Sequence, residues 1–217
     1  MLTFTVHLTI RFCSPFHIGT GEGVIGIIDR RTLSHHDTIG GKRMPLILGH
    51  TVKGIVRDRF RELSRLLNIP HEAEEDLFGS VKRQGSVYFS PWRIIEEERR
   101  GVDSQFLFST KTGNQLVRSR RVAKQDHLFT YEMAQAWPTW EGMVSGVIEG
   151  EESTTDIPKK LVWLLLAIQS VRAVGGRRRA GNGACTVTIE RLIINGQALD
   201  DDKLWKEPIL ESLGGLS

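Results

Sequence analysis

The sequence lacks the features that mark membrane and secreted proteins. All of its apolar runs, including the one at 161–168, are shorter than a membrane span. The N-terminal residues do not have the basic-then-apolar order of a signal peptide. Only two cysteines, Cys13 and Cys185, are present, too few for a disulfide framework. We therefore expect a soluble, reduced, cytoplasmic protein with no membrane partner.

An excess of charge of one sign is also missing, because the chain has 29 basic and 26 acidic residues and a net charge of only +3. Such a balance does not by itself indicate nucleic acid, so the distribution of charge matters more. A dinucleotide-binding fingerprint is absent too, since no helix is predicted after Gly19, Gly21 and Gly23. The length of 217 residues and the apolar fraction of 40% suit a globular domain.

Periodicity predicts two helices and a set of strands. Apolar and polar residues alternate from Phe4 to Phe12, as in a half-buried strand. Helical spacing predicts one helix over 50–67 and a second, largely buried one from about 156 to 173. Further strands are predicted within 85–95, within 104–149, including 143–148, and at 186–194.

The order of these elements predicts an α+β fold with a ferredoxin-like (RRM-like) core and a β-rich insertion. We expect one domain over 1–217, with a long loop at about 13–48, in which no regular element is obvious, and the insertion at about 96–140. Thr112-Gly113-Asn114 is a turn signal within that insertion. Because the first and last strands of such a sheet pair antiparallel, Cys13 and Cys185 are expected near each other, as reduced thiols.

The glycine- and arginine-rich segment 175–183, GGRRRAGNG, predicts a phosphate-binding loop. Glycines such as Gly181 and Gly183 let a backbone approach a phosphate closely. The three arginines, Arg177, Arg178 and Arg179, supply forked donors for phosphate oxygens. Contacts of this kind position RNA without reading its sequence.

Two other basic groups extend this interpretation. Lys53, Arg57, Arg61 and Arg65 stand four apart and form a stripe along the first helix, which either binds phosphates with the loop or is an ordinary solvated face. A third cluster, at 118–124, has no place that the sequence fixes.

The long loop carries the candidate catalytic groups. Asp29 and Asp37 lie there, with His17, His35 and His36 nearby. A carboxylate beside a phosphate track can recruit Mg²⁺ or another divalent cation, or orient an attacking 2′-hydroxyl, and a histidine can act as ligand or base. A hydrated polar loop is the other interpretation of the same residues.

Four segments together resemble the RAMP superfamily of CRISPR proteins. Residues 45–54, PLILGHTVKG, resemble the signature Pro-x-Ile-Pro-Gly-Ser-Ser-Leu-Lys-Gly that opens the first helix of that family. The other similar segments are the Phe-Gly block at 77–80 with the strand after it at 85–90, the block at 128–132, and the glycine-rich loop at 175–183. The resemblance spans roughly residues 3–194, with order and spacing in agreement.

Within the superfamily, the chain is most similar to the backbone subunit of type III (Csm/Cmr) effector complexes. This resemblance implies a thumb-type insertion, and copies that polymerise along a guide RNA (crRNA) with other effector subunits in an antiviral ribonucleoprotein. It also implies that an aspartate after the first strand, in a Gly-x-Asp context, cuts target RNA with a divalent metal. Residues 26–29, Gly-Ile-Ile-Asp, are the nearest match, one residue longer. Asp29 is thus the predicted catalytic and metal-binding residue, and Asp37 the alternative.

Two alternatives stay open at this point. The chain could be a non-catalytic structural or cap subunit of the same assembly, with Asp29 inert. It could instead be a metal-independent, guide-processing endoribonuclease that uses a histidine base such as His17 or His35. The residues 45–54 favour a backbone subunit over the free-standing enzyme.

Overall fold

The computed structural model describes residues 1–21, 28–37, 41–117, 122–149, 157–199 and 207, with the backbone alone for 114–117 and 122–128. The strands are β1 (Leu2–Phe12), β2 (Ser34–His36), β3 (Arg43–Pro45), β4 (Val87–Phe89), β5 (Arg93–Ile94), β6 (Phe108–Val117), β7 (Val122–Ala134), β8 (Thr139–Ile148), β9 (Cys185–Ile194) and β10 (Gln197–Leu199). The helices are α1 (Gly49–Leu67), α2 (His71–Phe78), α3 (Glu96–Gly101) and α4 (Lys159–Gln169).

The main sheet is antiparallel and has β1 at its centre. Its strand order is β10-β9-β1-β8-β4, and β5 also pairs with β8. The alternation along β1 puts Phe4, Val6, Leu8 and Ile10 on the buried face. Each such side chain contributes about 1.5–3 kcal/mol relative to exposure. The core therefore forms on this face of the sheet.

Helices α1 and α4 cover the buried face. Helix α1 packs against α4 and β4, and α4 packs against β9. The predicted α+β class, with a mainly antiparallel sheet, is confirmed, and α1 agrees with the helix predicted at 50–67. Helix α4 ends at Gln169 rather than near residue 173, because Ala173 already pairs with Ala184 in a β-bridge. Among the described residues, no helix combines the length and hydropathy needed to cross a membrane.

Strands β6 and β7 form a separate antiparallel hairpin within the predicted insertion. The turn predicted at residues 112–114 is wrong, because Thr112 and Gly113 lie inside β6, opposite Thr130 and Phe129. A side chain at Gly113 would come within 2.7 Å of the Phe129 ring. That glycine therefore makes room for an aromatic ring and does not turn the chain.

The segment at 13–48, in which the sequence shows no obvious regular element, contains a small hairpin. Strands β2 and β3 pair there, and each is only three residues long, too short to show a period of two. The same segment is joined to the larger hairpin by bridges from Phe16 to Ala134 and from Arg30 to Tyr131.

The expected proximity of the two cysteines is confirmed. Cys185 pairs with Phe12, the residue before Cys13, and both thiols are free. Cys13 is exposed and Cys185 is buried. Burial, with a smaller contribution from Cys13, raises the pKa of the Cys185 thiol to about 12.

We predict that iodoacetamide modifies Cys13 and leaves Cys185 unmodified in the native protein at mildly alkaline pH, since only thiolates react. Mass spectrometry of the labelled protein measures this. The Cys13→Ser variant should take up no label until it is denatured. Native labelling of Cys185, or a disulfide in protein purified without oxidant, would contradict the expectation of two reduced, unequal thiols.

Candidate nucleic-acid interface

An open cleft of about 810 Å³ lies between α1, the segment after β1 and the loop after α4. It brings together residues that are distant in sequence. Its lining includes His17, Asp29, Thr51, Gly54, Asp58 and Arg178. The cleft is therefore the place where the predicted arginine loop and one predicted catalytic carboxylate meet.

The arginine loop lies directly against the segment after β1. Gly175 has a φ of +89°, and a Cβ on it would come within 2.5 Å of the His17 carbonyl oxygen. The Gly176 N–H donates to that same oxygen over 2.9 Å. Only a glycine tolerates both the positive φ and the close approach. This wall of the cleft is thus backbone packed on backbone.

The two glycines predicted to bind RNA differ in their surroundings. Gly181 is exposed, and its carbonyl accepts from the Ser14 hydroxyl over 2.7 Å. Gly183 is buried, and its N–H donates to Pro15 over 3.0 Å. A Cβ there would lie 1.9 Å from the Val174 carbonyl oxygen, so this glycine serves the packing of the loop. RNA contact stays a prediction for both glycines, but of the two only Gly181 is exposed at the surface, where RNA can reach it.

The three adjacent arginines also have different environments. The Arg177 guanidinium lies 4.6 Å from the ring centroids of both Phe129 and Tyr131 and donates to the Tyr131 hydroxyl over 3.2 Å. Arg178 lines the cleft, and Arg179 is exposed beside it. Neither has a carboxylate partner among the residues that the structure describes. Arg177 therefore joins the loop to the hairpin, while Arg178 brings its charge to the cleft.

Helix α1 presents three different faces. Val52, Val56 and Phe60 are buried in the core. A second face of the helix lines the cleft and consists of Thr51, Gly54, Ile55 and Asp58. At 3.6 residues per turn, the stripe of Lys53, Arg57 and Arg61 lies about a third of a turn from that face. The structure therefore does not join this stripe to the arginine loop in one track.

The stripe has a structural partner that sequence reasoning missed. Glu74 on α2 is 6% exposed, and its carboxylate accepts from the Nε atoms of Arg57 and Arg61, over 2.5 and 2.9 Å. These two arginines hold α2 against α1. RNA binding by Lys53, Arg57 and Arg61 stays a prediction, for a surface that adjoins the cleft rather than for the cleft itself.

Gly54, the last residue of the segment 45–54 that resembles the family signature, is a further feature of the cleft. It lies within α1, is exposed, and would have no atom within 4 Å of a Cβ. An internal helical glycine costs about 1 kcal/mol relative to alanine. The open space at Gly54 leaves room for a strand to approach the helix.

Asp29 is exposed in the cleft and is held in place by the hairpin. Its N–H donates to the Thr130 carbonyl over 2.8 Å, and its Oδ2 accepts from the Thr130 N–H over 2.5 Å. Asp58, also exposed, lines the same cleft from α1. Sequence reasoning found no partner for Asp29, because Thr130 is far away in the chain.

The described residues contain no group of three or more His, Cys, Asp or Glu side chains that could hold a metal ion. A carboxylate oxygen is nevertheless a ligand type that Mg²⁺ accepts, and Mg²⁺ commonly binds one or two carboxylates together with water and phosphate oxygens. Asp29 fits a cation shared with RNA and does not form a complete metal centre by itself.

The alternative carboxylate, Asp37, has a different environment. It is 5% exposed, and its Oδ1 lies 3.6 Å from Arg99 Nη1. It belongs to the β2–β3 hairpin with His35 and His36 and does not line the cleft. Burial, followed by the nearby Arg93 charge, lowers the pKa of His35. Of the two candidate carboxylates, only Asp29 is in the cleft.

A family model describes most of this chain. The model of the RAMP superfamily matches residues 9–186, a range that includes every cleft residue from His17 to Arg178. The chain belongs to the RAMP superfamily. This membership indicates a CRISPR-associated, RNA-binding subunit. No curated protein matches the chain.

Some sequence features of this RAMP protein lie outside the described residues. They are Gly23, Gly26 and Ile27 of the long loop, the basic residues 118–121, and the side chain of Lys124. The block at 128–132, by contrast, supplies Phe129, Thr130 and Tyr131 to the site, so the family resemblance was the signal that pointed to them.

For this RAMP protein we predict that Arg177→Ala and Arg178→Ala have different effects. Removing Arg177 should lower the free energy of unfolding by about 1 kcal/mol, because it loses contacts with two rings. Removing Arg178 should leave stability unchanged but weaken RNA binding and reduce its dependence on salt. Urea unfolding and RNA titrations over a salt series measure these effects.

Arg191→Ala is the matched control, since Arg191 is exposed on β9 and is not part of the cleft. It removes the same charge elsewhere. Equal losses of RNA affinity in the Arg178 and Arg191 variants would show that net charge alone controls binding.

Proposed function

We propose that this protein is a guide-RNA-binding backbone subunit of a type III CRISPR effector complex. Copies of it would polymerise along the crRNA, beside other effector subunits. The observation that carries the proposal is the cleft, where Arg178, a wall of glycine backbone and the open face of α1 surround one groove. Such a groove suits an extended strand held through its backbone.

The fold supports the same proposal. The helices and strands β1, α1, β4, β8, α4 and β9 follow one another in the order β-α-β-β-α-β. Their antiparallel sheet order, β9-β1-β8-β4, is the order expected for a ferredoxin-like core and supports the proposal. The β6–β7 hairpin lies between β5 and β8 in the chain, where the proposed function would place a thumb-type insertion.

Binding to guide RNA would be electrostatic and largely independent of sequence. Arg178 and Arg179 carry charges that no described carboxylate neutralises, and both are exposed. Phosphate contacts of this type release counterions, so affinity falls as salt rises. The guanidinium fork binds phosphate oxygens without reading the bases.

The same cleft supports the cleavage of guide-paired target RNA. Asp29, whose carboxylate accepts from the Thr130 N–H, lines the same groove as Arg178. A divalent cation bound to this carboxylate would supply charge stabilisation for phosphoryl transfer. In the reaction, the target's 2′-hydroxyl oxygen bonds to phosphorus as the bond from phosphorus to the 5′-oxygen breaks. The products are a 2′,3′-cyclic phosphate and a 5′-hydroxyl, and DNA cannot react because it lacks the nucleophile.

A non-catalytic structural or cap subunit is the second candidate function. The Asp29 carboxylate already accepts a hydrogen bond from the hairpin, so it has a structural role without any metal. Under this proposal the cleft would hold guide RNA and cut nothing.

Asp29→Asn tests which of these functions applies. The asparagine amide keeps an oxygen for the Thr130 N–H but loses the negative charge. In complexes assembled on guide RNA with Mg²⁺, we predict that the variant binds RNA normally and cleaves paired target at least ~100-fold more slowly, as expected when charge stabilisation at the reacting phosphate is lost. Gel analysis of end-labelled target measures the rate.

Asp37→Asn is the control and should cleave at the wild-type rate. Full activity in Asp29→Asn with loss in Asp37→Asn would show that the other carboxylate is catalytic. Cleavage that persists in a chelator would indicate a metal-independent enzyme with a histidine base. Full activity in both variants, or no activity in the wild type, would support the non-catalytic structural or cap subunit.

A further inference from the structure

The His17 ring has a fixed orientation at the wall of the cleft. Its Nδ1 lies 2.7 Å from the Glu132 carbonyl oxygen and 3.0 Å from the Thr32 hydroxyl. Thr32 and Glu132 are both buried, and the Thr32 hydroxyl itself donates to the Glu132 carbonyl over 2.6 Å. The two partners therefore hold the imidazole from the protein side.

This hydrogen bonding sets the tautomer. A carbonyl oxygen can only accept, so Nδ1 must carry the hydrogen that it shares with Glu132. The single hydroxyl hydrogen of Thr32 is already donated to the same carbonyl. In the neutral ring, Nε2 then has a lone pair and no hydrogen, so it is an acceptor.

The Nε2 atom lies at the cleft surface, near Gly19. A Cβ built on Gly19 would be 3.1 Å from it, and both residues line the cleft. No group in the described part of the chain forms a hydrogen bond with Nε2. The acceptor is therefore available to whatever occupies the cleft.

A hydrogen-bond acceptor at this position favours a ligand that presents a hydrogen-bond donor to it. Arg30 and Arg178 line the same cleft and suit phosphate oxygens, whereas a nitrogen lone pair would repel them. On a sugar-phosphate backbone, the hydrogen-bond donor that does not depend on the base is the ribose 2′-hydroxyl, which DNA lacks.

We propose that His17 Nε2 accepts a hydrogen bond from a ribose 2′-hydroxyl of the strand in the cleft and thereby discriminates RNA from DNA. The inference rests on the proposed function, since it requires a nucleic-acid strand in this groove. It assigns His17 the recognition of the sugar, and Arg178 the recognition of the phosphate.

His17→Asn separates this role from a structural one. The asparagine amide nitrogen takes the place of Nδ1 and can still donate to Glu132, but the side chain has no atom in the place of Nε2. Binding is measured with a guide-length single-stranded RNA and with DNA of the same sequence. Wild type should favour RNA by about two- to tenfold, the range for one net hydrogen bond. The variant should bind DNA as before and lose most of that preference.

Two further measurements keep the test decisive. Arg178→Ala should weaken RNA and DNA alike and leave their ratio unchanged. Uniformly 2′-fluoro RNA keeps the sugar conformation of RNA without the donor, so wild type should bind it with about the affinity it has for DNA. This second measurement does not depend on how well any variant folds.

The inference is overturned if His17→Asn keeps the wild-type ratio, or if 2′-fluoro RNA binds as tightly as RNA. A variant that loses cleavage but keeps the ratio would identify His17 as a base and would equally overturn it. If the wild type binds neither strand, the proposed function itself fails, and the inference fails with it.

Discussion

The cleft depends on one buried carboxylate, that of Glu132 on β7. It is 4% exposed and accepts from both terminal nitrogens of Arg43, over 2.7 and 2.6 Å, and from the Thr32 N–H over 3.1 Å. An unpaired buried carboxylate would cost several kcal/mol, so these partners are required. The backbone carbonyl of the same residue orients His17. Through Glu132, the large hairpin, the small β2–β3 hairpin and the segment after β1 form one wall.

The arginines near the cleft fall into two groups, those in structural contacts and those that line the cleft. Arg177 contacts two aromatic rings, and Arg57 and Arg61 bind the Glu74 carboxylate. None of these three arginines lines the groove. Arg178 and the exposed Asp29 remain in it. A guanidinium and a carboxylate thus share one groove, as the proposed binding and cutting of RNA would require.

Sequence patterns predicted what depends on local spacing. The alternation in β1, the helix at 50–67 and the α+β class follow from periods of two and 3.6. Spacing also predicted that the basic residues of α1 share a face, but not that Glu74 of α2 meets it. Similarly, Arg177 and Arg178 are adjacent and chemically identical, and only the loop backbone separates their roles. Contacts with Glu74, Thr130 and Glu132 connect residues far apart in sequence, and sequence periodicity cannot predict such contacts.

The central claim is that RNA lies between α1 and the glycine-lined wall. Hydrogen exchange of the protein with and without guide RNA tests it most directly, because the segments 14–21 and 175–182 contribute residues to the cleft and α2 contributes none. We predict slower exchange in both loops and no change at 71–78. Slower exchange at 71–78 with unchanged loops would place the RNA on the stripe of Arg57 and Arg61 and would contradict the account.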